Sequence, residues 1–150
     1  MTMEALLYNP TQAREVISQA WNVAKPNLLA GRKMVIRLVD YEEAKTEQQR
    51  KYYHGYILTE ITRQAKVDGN KYAFEVWKEH FRKTYLGSKR KKIIDPMTGK
   101  KSWRLERIST ESLGVKGYNM LIEKVTAFAC TELGVVFNET FESYTEENSL

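Results

Sequence analysis

Apolar positions step by three and four from Ala13 through Val16, Ile17, Ala20 and Trp21 to Ala24, which places them on one face of a helix. Asn9 offers an N-cap ahead of this helix, Pro10 suits its first position, and Pro26 is expected to end it. Residues 3–8 form a short apolar stretch predicted as a first strand, and residues 34–39 (MVIRLV) read as a strand buried on both faces or nearly so. A second helix is predicted over residues 46–65, where Thr46 and Gln49 have capping-box spacing. Its core stripe is Tyr53, Ile57, Ile61 and Ala65, with Arg50 at the N-terminal end of the same stripe. Asp68-Gly69-Asn70 signals a turn. A third helix then carries Phe74, Trp77, Phe81 and Tyr85 and stops at Gly87.

Residues 92–94 and 102–105 read as short strands with β-branched and aromatic residues, flank a connection containing Pro96 and Gly99, and predict a hairpin. A last helix begins near Val115, with Tyr118, Leu121, Ile122, Val125 and Ala129 on its apolar face, and closes at Gly134. No internal repeat is present. The pattern predicts an α+β domain over residues 1–138, a small mixed sheet with the hairpin packed against about four helices. Residues 139–150 carry four Glu and no base and read as a disordered acidic tail.

Charge changes the picture most. Residues 82–107 hold ten Lys/Arg against Asp95 and Glu106, a local charge of +8, while the whole 150-residue chain carries +5 and the remainder therefore −3. A basic segment with Tyr85 and Trp103 among its cations suits phosphate neutralisation combined with base stacking; alone it fits a solvated charged loop equally well. The candidate cations are Lys89, Arg90, Lys91, Lys92, Lys100, Lys101 and Arg104, with Trp103 as a stacking candidate; its alternation with Leu105 fits burial of both as well as exposure. A second candidate site is the head of the helix predicted at residue 46. Gln49, Arg50, Lys51 and Tyr53 would there meet phosphate through backbone N–H groups and the helix dipole, although Tyr53 is also a core candidate.

Other chemistry is sparse. No apolar run approaches the ~18 residues of a spanning helix, and the first residues do not read as a signal peptide. The single Cys130 sits in a helical apolar pattern and is expected to be a small buried hydrophobe; the cytoplasm is the default compartment. His54 and His80 have no partner at zinc-ligand spacing, no nucleophile arrangement or phosphate loop is evident, and no recognition helix of a sequence-specific regulator stands out. No catalytic residue, metal ligand or cofactor is expected. The alternative is a metal-dependent nuclease, which would need Asp40, Glu42, Glu43, Glu47, Asp68 or Asp95 to converge around a scissile phosphate.

Three stretches, in order, resemble the NinB family of phage recombination proteins, also called Orf. They are Thr46-Glu47-Gln48-Gln49-Arg50-Lys51-Tyr52-Tyr53, Glu75-Val76-Trp77-Lys78-Glu79-His80-Phe81, and Ser109-Thr110 leading to a helix that ends in Glu132-Leu133-Gly134-Val135-Val136-Phe137. The resemblance spans residues 3–138. It implies a homodimeric α+β protein that binds single-stranded DNA without catalysis. It also implies a mediator role, helping to load a recombinase onto strands covered by the host single-strand-binding protein, in the host cytoplasm and away from membranes. Gln49 stands where the family often has Asn, Tyr53 where a relative has Trp, and the acidic tail where some relatives have a further helix.

Overall fold

The computed structural model describes residues 2–148. Asn9 caps α1 (Pro10–Leu29), its side chain accepting from Gln12 N at 2.8 Å. The segment before α1 forms no strand. Gln12 holds it instead, donating from Nε2 to Leu6 O at 3.0 Å and accepting from Tyr8 N at 3.3 Å. Pro26 lies inside α1 rather than ending it: Ala30 N still donates to Pro26 O. The carbonyl that Pro26 leaves without a donor belongs to exposed Asn22, where water can satisfy it. No residue of α1 is buried, and Ile17 and Trp21 of its apolar stripe are both more than half exposed.

Residues 34–39 likewise form no strand: among the described residues none pairs with them. Val35, Ile36 and Leu38 are 94%, 83% and 83% exposed, so an apolar arm stands outside the core. The fold is α+β, as the pattern predicts, but the hairpin is the whole of its sheet among the described residues.

The second helix starts earlier than Thr46. Asp40 accepts from Glu42 N at 3.0 Å and caps α2 (Tyr41–Tyr52), which runs through a π-helical turn (Tyr53–Ile57) into α3 (Leu58–Gln64). With the cap moved to Asp40, Gln49 is free to serve the interior: it is 1% exposed and donates to Val115 O and to Asn119 Oδ1 at 2.7 Å. Val67 and Asn70 exchange hydrogen bonds across the Asp68-Gly69 turn, and α4 (Phe74–Phe81) follows. A second π-helical turn (Arg82–Leu86) leads into Gly87, whose φ of 65° admits the sharp exit. The strands are β1 (Ser88–Ile94) and β2 (Lys101–Arg107), antiparallel with Lys92 opposite Trp103. A short 3₁₀ turn (Thr110–Ser112) precedes α5 (Val115–Glu132).

Fully buried Tyr53, Ile57, Leu58, Ile61, Phe81, Tyr118, Leu121 and Val125 form the centre of the core, between α2–α3, α4 and α5. Burial of each large apolar side chain contributes about 1.5–3 kcal/mol. Cys130, expected inside, faces solvent. The acidic segment is not a disordered tail through residue 148, for α6 (Phe141–Asn148) packs on α2. Aromatic contact outweighs its charge: Tyr144 stacks on Tyr56 at 5.7 Å, and Phe141 meets Tyr52 edge-on at 5.5 Å. Tyr52 donates to Glu139 O, and the Tyr56 hydroxyl accepts from Asn138 N and Glu139 N. Burial pushes the Tyr52 phenol up to about 12. Among the described residues no helix is long and apolar enough to cross a membrane.

Candidate nucleic-acid interface

An isolated two-stranded hairpin is at best marginally stable in water, and this one has no helix laid along it. Its base is fixed by Arg82, which is 6% exposed. Arg82 forms a two-pronged pair with Glu79, Nε to Oε2 at 3.0 Å and Nη2 to Oε1 at 2.8 Å. Its Nη1 donates to Gly87 O at 3.0 Å and Ile108 O at 3.2 Å, the carbonyls that enter and leave the hairpin. Arg107 reaches the same Glu79 carboxylate at 2.8 Å. The Arg82 hydrogen bonds hold the Glu79 carboxyl below its ordinary value. The spacing Glu79-x-x-Arg82 on a helix is the sequence signal for this anchor.

Paired residues in an antiparallel ladder share a face, so the register divides the hairpin's charge. One face carries Arg90, Lys92, Lys101 and Arg107 with Trp103 and Leu105 between them, and no carboxylate. The other carries Lys89, Lys91 and Arg104 with Glu106, which pairs with Lys91 at 3.7 Å. Trp103 and Leu105 are exposed, 58% and 74%. The Arg90 guanidinium sits 4.9 Å from the Trp103 ring centre and steadies the indole by a cation–π contact. Lys100 belongs to the exposed connection.

The Gln49–Tyr53 stretch sits differently from expectation. It lies at the end of α2, so its backbone N–H groups are spent inside the helix and form no anion site. Gln49 and Tyr53 are buried, Arg50 is half-buried, and Lys51 is exposed. Four buried polar atoms here have no hydrogen-bond partner of good geometry: Gln49 Oε1, Arg50 Nε, Tyr53 Oη and Tyr118 Oη. Burial raises the Tyr53 phenol; it raises Tyr118 as well, with Arg50 opposing.

The turn leaving β2 closes over this polar interior. Buried Thr110 lies 3.4 Å from His54 Nε2, and His54 Nδ1 meets Arg50 O at 3.0 Å. Burial lowers the His54 imidazole. Ser109 donates to the Glu111 carboxylate, which also faces Lys78 Nζ at 3.6 Å; these contacts hold Glu111 down to about 2. Arg50 is thus joined through His54 and Thr110 to the base of the hairpin, whereas Lys51 takes no part in these contacts. Lys78, Glu111 and Asn119 carry no signal of their own in the sequence: Lys78 of α4 meets Glu111 of the 3₁₀ turn, and Asn119 of α5 meets Gln49 of α2, only in the folded chain.

The scattered acids have local duties. Asp40 caps α2, while Glu43 and Glu47 face Arg37 at 4.0 and 3.7 Å. Asp95 shapes the hairpin connection through Met97 N. Among the described residues no group of three His, Cys, Asp or Glu side chains is placed to hold a metal ion.

A family model described as NinB protein matches residues 3–138. The chain belongs to the NinB family. A solved structure of a NinB protein is 18% identical over 98% of this chain and 99% of that one, with a TM-score of 0.49. No curated protein sequence matches the chain. The NinB match includes both the Arg50–His54 cluster and the whole hairpin.

Proposed function

We propose that this NinB family member binds single-stranded DNA through the hairpin face that carries Arg90, Lys92, Lys101, Trp103 and Arg107. The observation that carries this reading is that face's composition: Arg90, Lys92 and Lys101 with no carboxylate beside them, Arg107 held by Glu79 at the base, and an exposed indole braced by a guanidinium. Phosphates of a flexible strand meet the cations while a base stacks on Trp103. Lys89, Lys91, Arg104 and Lys100 add to the attracting field from the other face and the tip, and Lys51 extends it from α2. Gln49 and Tyr53, being buried, belong to the interior rather than touch the strand. The protein works without catalysis, as a phage recombination mediator in the host cytoplasm, easing recombinase loading on strands covered by single-strand-binding protein.

Two copies act together. The exposed apolar positions of α1 and of residues 34–39 are a face that a second copy would cover, and a dimer would set two basic hairpins along one strand.

A salt titration of binding to labelled single-stranded and duplex oligonucleotides, with Mg²⁺ present, tests the reading. Salt-sensitive preference for the single strand, with the oligonucleotide intact afterwards, is the expected result. Metal-dependent cleavage would favour the nuclease alternative, and absence of binding would overturn a nucleic-acid role.

A further inference from the structure

The exposed hairpin connection is held by four hydrogen bonds within residues 95–100. Asp95 N donates to Lys100 O at 2.9 Å and Gly99 N to Asp95 O at 2.7 Å. Asp95 Oδ1 accepts from Met97 N at 2.9 Å, and Thr98 Oγ1 from Lys100 N at 3.3 Å. Gly99, with φ of 72°, makes the return. This set of bonds holds up an apolar point: Met97 is 90% exposed next to Pro96, and Ile94 behind it is 55% exposed. Seven residues per strand put that point roughly 24 Å from the Arg82 anchor.

An apolar tip on a long cationic ribbon has one partner that suits both parts. The ribbon's charge brings it along phosphates, and the apolar tip gains by leaving water for the space between bases. Met and Pro are among the side chains that nucleic-acid-binding proteins wedge into base steps. A protein partner would satisfy the tip but leave the surrounding Lys92, Lys100 and Lys101 uncompensated unless it were strongly acidic.

We infer that the Pro96–Met97 tip is a wedge that enters the base step where duplex gives way to single strand, unstacking the last pair while the strand runs along the Trp103 face. This rests on the proposed binding of single-stranded DNA and adds to it a second activity, the opening of duplex ends. Opening is cheapest at a junction, where the terminal pair is stacked on one side only.

The test uses the full-length protein and a duplex with a single-stranded overhang, carrying 2-aminopurine at the last paired position. Saturating protein is expected to raise 2-aminopurine emission, the signature of unstacking. Met97→Ser is expected to remove more than about half of that rise, while changing affinity for a plain single strand by less than about twofold. Met97→Leu, apolar and similar in size, is expected to keep the signal. Strand binding without any emission change, or an undiminished change with Met97→Ser, would overturn the wedge and leave strand binding standing. No binding to either oligonucleotide would overturn both.

Discussion

Arg82 and Ile108 are 26 residues apart in sequence, yet the guanidinium of the first donates to the carbonyl of the second at 3.2 Å. With the companion bond to Gly87 O, one buried side chain clamps both ends of the hairpin to α4. Losing the guanidinium removes both carbonyl contacts and the pair with Glu79, which is half exposed and so contributes less than a fully buried pair would. Arg82→Met should therefore lower Tm and loosen the hairpin before the core. Amide exchange at Ile108, whose N–H bonds Gly87 O, reads the local effect. Unchanged protection there would show that the strands hold themselves.

Trp103→Ala should weaken single-strand binding by about 1–3 kcal/mol, the range for one base stacked on an aromatic side chain. Arg90→Gln should weaken it less, since the indole remains but loses its brace. Quenching of tryptophan emission on adding oligonucleotide, lost in Trp103→Ala while Trp21 and Trp77 remain, checks the contact. If Trp103→Ala binds as tightly as the parent, the stacking role falls.

Reversing charge on one face at a time should separate the two. Lys92→Glu with Lys101→Glu ought to weaken all sequences alike and flatten the salt dependence by about 0.7 in log–log slope for each phosphate no longer neutralised. Lys89→Glu with Lys91→Glu should do less, because Glu106 already offsets that face. Equal weakening by the two pairs would mean the strand does not distinguish the faces.

Residues 34–39 give the dimer its sharpest test. Ile36→Asp with Leu38→Asp puts carboxylates where only solvent is met within one chain, so the single-chain fold should survive. Sedimentation is expected to show a species of twice 17.5 kDa for the parent and the 17.5 kDa chain for the variant. A parent that sediments only as the single chain would sink the dimer.

Acid should act partly through Glu111. Its folded value of about 2 lies below the ordinary 4.5, so the stability it contributes is present above pH 4.5 and is lost as pH falls toward 2. Glu111→Gln should flatten the fall of Tm across that window, by a modest amount because the side chain is half exposed. A variant whose Tm still falls as steeply would assign the acid limb to other carboxylates.

Elements with local signals were legible in the sequence. Asn9-Pro10 opened α1 as expected, Gly87 and Gly134 marked the ends they were expected to mark, and Pro96 and Gly99 lay between two strands longer than predicted. Several readings that depended on a distant partner failed, as did the local one that Pro26 ends α1. Residues 34–39 have the apolar run of a buried strand, but a strand needs a neighbour, and a sequence does not say whether one exists in the same chain. Thr46 and Gln49 have the spacing of a capping box, yet Asp40 is the cap and Gln49 bonds Val115 and Asn119, far along the chain. The acidic tail lacked periodicity, and only Tyr52 and Tyr56 beneath it explain α6. At the candidate site the cations and Trp103 were readable as residues. Their division between a face that holds Trp103 and no carboxylate of the hairpin and a face that holds Glu106 was not, because it depends on register.

Because β1 and β2 pack on little but each other, substitutions along the hairpin beyond its Arg82 clamp leave the helical core untouched. The hairpin's sequence is therefore largely uncoupled from the stability of the helices: lysines, aromatic residues or the loop tip can be exchanged there without a folding defect in the core.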